Sequence, residues 1–162
     1  AFDADSKDAD RKSVIYVLGM NQESGVVTVP ERALSLGEFS GAAVHAEWLG
    51  GSDRLAILGS ESADRQAIIL ATREAGPTRI LHRWQSEHLF SGLGASPDGK
   101  WIAFVAPDSG KYFQIFRIPA GGGTVQQLTF DPTNKTQPAY APDGRQIALT
   151  VWEYAAHFWV LR

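Results

Sequence analysis

Cysteine is missing from the 162 residues, so disulfides and thiolate metal sites are excluded, while a reducing or an oxidising compartment both remain open. A surplus of one charge is missing too. With 15 basic and 18 acidic residues the formal charge is −3, which gives no electrostatic reason to expect nucleic acid or an anionic membrane as partner. No apolar run approaches the roughly 18 residues of a membrane-spanning helix. The opening "AFDADSKDAD" has neither an initiator Met nor a signal-type apolar region, and reads as a processed or trimmed start.

Catalytic motifs are equally scarce. There is no G-x-S-x-G elbow, and "LGASPDG" places Ser96 on a hairpin turn with no strand-to-helix context. Phosphate loops, H-E-x-x-H and dinucleotide fingerprints are absent. The histidines at 45, 82, 88 and 157 are scattered, and only His88 and His157 are placed to share a face. A metal-dependent lyase would need several converging His or carboxylate ligands, so no catalytic residue, metal ligand or cofactor is assigned. Asp3, Asp5, Asp8 and Asp10 alternate like a calcium loop, but counting from Asp3 the sixth and twelfth positions hold Asp8 and Val14 where Gly and Glu are needed. Residues 1–12 therefore read as a disordered acidic tail. No segment sustains a helical apolar stripe, although "PERALSLGEF" could form one helical turn.

What remains is a series of short β-rich runs punctuated by Gly, Pro, Asp and Ser. They are "VIYVLG", "VVTVP", "AVHAEW", "RLAILG", "QAIILAT", "TRILHR", "WIAFVA", "FQIFRIP", "VQQLTF", "QIALTVW" and "HFWVLR". This spacing predicts one antiparallel all-β domain. Two of the turns are near-copies: "SPDGKWIAF" begins at Ser96 and "APDGRQIAL" at Ala141, 45 residues apart. A shift of 47 residues lays 48–81 on 95–128 without a gap, and a shift of 45 lays 93–117 on 138–162. Four strands in roughly 40 to 45 residues is the size of a propeller blade, whose neighbours bury each other's faces. The chain divides into a partial blade (14–43), two blades (44–90 and 91–135) and an incomplete blade (136–162).

In each turn, Pro97 or Pro142 presets φ at the second position of a type I turn, and Gly99 or Gly144 enters the left-handed region. Asp98 and Asp143 lie between Pro and Gly, where a carboxylate bonds nearby amides rather than doing chemistry. The first copy has Gly50-Gly51-Ser52-Asp53 instead and, lacking Pro, is expected to be looser. The residue just before the turn is Trp48, Ala95 and Tyr140 in the three copies, aromatic in two of them, which predicts uneven packing. The stretch from "SPDGKWIAF" through "APDSGKYFQIFRIPAGGGTVQQLTF" to "APDGRQIALT" resembles the TolB-like β-propeller repeat. That resemblance covers 91–162 strongly and 44–90 in degenerate form. It implies a periplasmic or extracellular interaction propeller of roughly six to eight blades. Such propellers also serve as accessory domains of prolyl-oligopeptidase-type serine hydrolases and as sensor domains of membrane-bound regulators.

Strand order then selects the recognition residues. Loops from second to third strand, and from each fourth strand to the next blade, open on one face. They contain Glu61, Asp108 and Glu153, equivalent under the two shifts, with Trp84, Glu87, His88, Lys111, Tyr112, Trp152, Tyr154 and His157. The repeated acid either rings a funnel for a cationic peptide or caps its own loop. Trp101, Trp159, Phe104, Phe113 and Phe116 are expected to pack blades, and Trp84, Tyr112 and Trp152 to be exposed anchors. The expected function is a non-catalytic protein- or peptide-binding module; the alternative is an accessory propeller of a peptidase, or a propeller-based lyase. So few blades predict a fragment of a longer propeller or a half ring completed as a homodimer.

Overall fold

The computed structural model describes residues 15–34, 36, 37, 39–73, 77–86 and 92–152. It is all-β, with no helix among these residues. Among the described residues, twelve strands form four antiparallel sheets. The first is a hairpin of β1 (Ile15–Met20) and β2 (Val27–Leu34). The second has β3 (Ala42–Trp48), β4 (Arg54–Ser62), β5 (Arg65–Thr72) and β6 (Arg79–Gln85) in sequential order. The third repeats that meander with β7 (Leu93–Ala95), β8 (Trp101–Pro107), β9 (Phe113–Pro119) and β10 (Gln126–Gln127). The fourth pairs β11 (Asn134–Tyr140) with β12 (Ile147–Trp152). These are blades of a partial β-propeller.

The second strand of each full blade is an unbroken apolar run because both its faces are covered. In β4, Leu55 and Ile57 face the first sheet, in a cluster with Leu34, Phe39, Ala67 and Ile69. Ala56 and Leu58 face the third sheet, against Leu93, Ile102, Phe104 and Ile118. In β8 the alternation repeats: Ala103 and Val105 join Phe113 and Ile115 toward Tyr140, Ile147 and Leu149 of the fourth sheet. Period-two alternation thus becomes a row of stacked sheets, each burying one face on either neighbour. Phe104 is wholly buried at one such junction, with Trp84 centred 5.2 Å away and Phe116 5.9 Å away.

The repeated turn has one backbone hydrogen-bond pattern in all three copies, although the left-handed residue is the third of the turn in the first copy (Gly51, φ 66°) and the fourth in the other two. Residues 49, 96 and 141 each accept a bond from the amide three residues on, and each donates to the carbonyl five residues on, at 2.8–3.2 Å. Gly99 (φ 67°) and Gly144 (φ 70°) are left-handed as expected. The first copy keeps both bonds without a Pro, with the longest turn bond of the three at 3.2 Å. Gly50 lies against the backbone of Pro97 so closely that a Cβ would overlap the Pro97 oxygen and sit 2.6 Å from its carbonyl carbon. Absence of a side chain, rather than a ring, fixes that turn. A Cβ on Gly99 would sit 2.6 Å from the Gly50 oxygen, and one on Gly144 3.7 Å from Pro97 Cδ, so the three turns gather at one end of the blades.

No helix forms among the described residues of "PERALSLGEF", where one helical turn was possible. Residues 30–34 stay extended because β2 pairs with β1, with Leu34 opposite Ile15 and Ala33 opposite Tyr16, and a single turn follows in which Phe39 N donates to the Leu36 carbonyl.

Candidate functional site

The end of the blades opposite the repeated turns carries the β4–β5 and β8–β9 loops. In the latter, Asp108 N donates to the Tyr112 carbonyl at 2.9 Å and Lys111 N to the Asp108 carbonyl at 3.0 Å. The Asp108 carboxylate closes the loop from inside: its Oδ1 accepts from Gly110 N at 2.9 Å and Tyr112 N at 3.0 Å. Lys111 is left-handed at φ 65°, a position that L side chains adopt rarely. The β4–β5 turn is held by the Ser62 hydroxyl donating to Asp64 Oδ1 at 2.7 Å, and Ser86 N at the end of β6 donates to the Asp64 carbonyl at 2.8 Å.

Between these loops lies a cleft of about 380 Å³, within the size range of small-ligand sites. Asp64, Gln85 and Ser86 of the second blade form one wall; Pro107, Asp108, Lys111 and Phe113 of the third form the other. Of the acids equivalent in sequence, Asp108 reaches it and Glu61 does not. Glu61 accepts from Arg83 Nε at 2.8 Å instead, and Glu153 lies outside the described residues.

The β10–β11 connection is fixed by polar side chains that sequence reasoning overlooked. Gln114, wholly buried, donates through Nε2 to the carbonyls of Asp131 (2.6 Å) and Thr133 (3.1 Å), and its Oε1 accepts from the Thr129 hydroxyl at 2.6 Å. Lys135 is only 4% exposed; its Nζ pairs with the Asp131 carboxylate and donates to the Thr133 carbonyl (3.1 Å) and hydroxyl (2.8 Å). All three ammonium protons therefore find acceptors, as a buried lysine requires. The bond from Lys135, with one from Thr133, holds the Asp131 carboxyl below the usual carboxylate range. The loop fixed in this way presents Phe130 at 74% exposure.

The other expected residues divide clearly. Tyr112 (39% exposed) and Trp152 (52%) are exposed aromatics, with Trp152 Nε1 donating to Thr136 Oγ1 at 3.2 Å. Trp84 is not an exposed anchor: it packs half-buried between His82 and Phe104, because its position on β6 faces the third blade. Its Nε1 has no hydrogen-bond partner among the described residues. Glu87, His88, Tyr154, His157 and Trp159 lie outside the described residues. Phe104 and Phe113 are buried, Phe116 is half-buried, and Trp101 lies under the Arg117 guanidinium at 4.1 Å. Asp98 and Asp143 are occupied in their turns. Asp98 Oδ1 accepts from the Ser96 hydroxyl (2.6 Å) and Lys100 N (3.1 Å), which hold its carboxyl below the usual range, and Asp143 accepts from Arg145 N at 3.0 Å. Among the described residues no three His, Cys, Asp or Glu side chains converge on a metal position, and no helix is long and apolar enough to cross a membrane.

Known proteins resemble this chain at two levels. No protein-family model matches it. A peptidase of Bacillus subtilis strain 168, YuxL, whose own activity is uncharacterised, is 36% identical over 56 residues, 35% of this chain and 8% of that protein. Among solved structures, TolB of Acinetobacter baumannii superposes with a TM-score of 0.61 at 20% identity, covering 85% of this chain and 35% of that one. A TolB-type protein of Agrobacterium tumefaciens gives 0.58 at 24% identity, covering 74% and 42%. The chain thus spans less than half the length of each of these three proteins. Its stacked four-stranded sheets, its repeated turn and these superpositions together place it in the TolB-like β-propeller fold.

Proposed function

We propose that the chain is a protein- or peptide-binding propeller module acting through the loop-bearing end of its blades. The supporting observation is the inter-blade cleft, flanked by rigidly held loops that expose Tyr112. Aromatic side chains on fixed loops contribute large contact area at little entropic cost. The module acts without chemistry of its own, outside the cytoplasm, as the TolB-like resemblance implies. Peptides selected on the full chain from a random display library test this reading. Their binding should weaken by about fivefold or more with Tyr112→Ala or Trp152→Ala, and be untouched by Lys100→Ala at the opposite end. Peptides indifferent to all three changes would refute it.

A second reading rests on the 56-residue match to YuxL: the blades belong to the accessory propeller of a peptidase. A G-x-S-x-G domain in the same open reading frame supports it, and a frame without one removes it.

A further inference from the structure

From the cleft lining we infer that the site receives a basic side chain, arginine in preference to lysine, from a peptide; this rests on the binding reading above. Among the described residues, two carboxylates and one ammonium line the cleft, a formal charge of −1 (two acids against one base). Each carboxylate is oriented by one oxygen only: Oδ1 of Asp108 is taken by two loop amides and Oδ1 of Asp64 by the Ser62 hydroxyl. The second oxygen of each, and Lys111 Nζ, have no hydrogen-bond or ion-pair partner among the described residues. Among the described residues they are therefore positioned without an ion-pair partner, in contrast to Glu61, which Arg83 already engages.

The rest of the lining suits the same guest. Pro107 and Phe113 give an apolar wall on which a three-carbon stem and a flat guanidinium can lie. A guanidinium offers donors in several directions at once and can meet carboxylates on opposite walls, whereas an ammonium acts as a compact point charge. A divalent cation fits poorly, since Lys111 stands in the same lining and the described residues supply two acids. Lys111 is left to donate to a carbonyl of the incoming segment.

The experiment is an NMR titration of the full chain with capped tripeptides Ala-X-Ala, where X is arginine, lysine, citrulline or glutamate. The arginine peptide should shift the amides of Gly110, Lys111 and Tyr112 saturably, about threefold to fivefold tighter than citrulline, the size expected of a partly screened ion pair. Asp64→Asn and Asp108→Asn keep the Oδ1 acceptor for their loops and remove only charge, so each should erase that preference with an unchanged melting temperature. If Asp108→Asn disturbs the fold, Asp64→Asn decides alone. Equal affinity for arginine and citrulline, or a preference that survives Asp64→Asn, overturns the inference while binding at this end of the blades still stands. Shifts confined to the turns around Pro97 and Pro142 overturn both.

Discussion

Gly50→Ala tests whether the first turn is held by backbone contact between blades. The new Cβ would lie 2.6 Å from the Pro97 carbonyl carbon and closer still to its oxygen. Real Cβ contacts stay above 3.0 Å, so the backbones must separate by at least 0.4 Å (3.0 − 2.6), and neither partner is a side chain that can turn away. Overpacking of this kind costs about 1–3 kcal/mol. For a chain of this size 1 kcal/mol lowers the melting temperature by roughly 2–4 °C, so a mid-range loss of about 2 kcal/mol gives about 4–8 °C. Gly121→Ala is the control, since a Cβ there meets nothing within 4 Å and no left-handed φ is needed. Scanning calorimetry and urea unfolding of both variants decide the matter. If Gly50→Ala melts together with Gly121→Ala, the inter-blade contact carries no stability and the reasoning is wrong.

Other expectations can be checked as directly. Burial beside Trp84 and Phe104 lowers the His82 pKa from 6.5, so the folded chain resists protonation more than the unfolded chain does. Stability should fall as pH drops below about 6.5, and the urea midpoint of His82→Phe should change less between about pH 7 and pH 5.5 than that of the parent; equal changes refute the assignment. The chain alone should show no hydrolase, lyase or oxidoreductase turnover, and metal-dependent cleavage lost in His88→Ala and His157→Ala would overturn this.

Most of the fold was legible because blade packing writes itself into local sequence. The runs at 55–58 and 102–105 are apolar throughout since both faces are covered, and the Pro and Gly of the turns declare their backbone angles. The strand "NKTQPAY" was reachable only through the repeat. It is polar, it carries a buried Lys135, and it bulges where Gln137 turns left-handed at φ 53°. The site was less legible for a geometric reason. A constant offset equates Glu61 with Asp108, but the β4–β5 register slips between Ser60 and Ser62, so Glu61 is an inserted bulge residue and turns to Arg83. Asp64 takes the cleft position that the offset would have given to Glu61. Gln114 and Lys135 act on a loop more than ten residues away and on local carbonyls respectively, bonds that no spacing rule announces.

The contact between Gly50 and Pro97 works like the rivet of a hand fan. Each blade widens from its first strand to its fourth over three strand spacings, about 14 Å. Where the ribs are pinned there is no room for even a methyl group, whereas at the β9–β10 hairpin a Cβ on Gly121 would meet open space. Tolerance to change should therefore rise with distance from the pin. Insertions in the outer hairpin can lengthen a rib without altering its angle, while one added atom at the rivet displaces every blade beyond it.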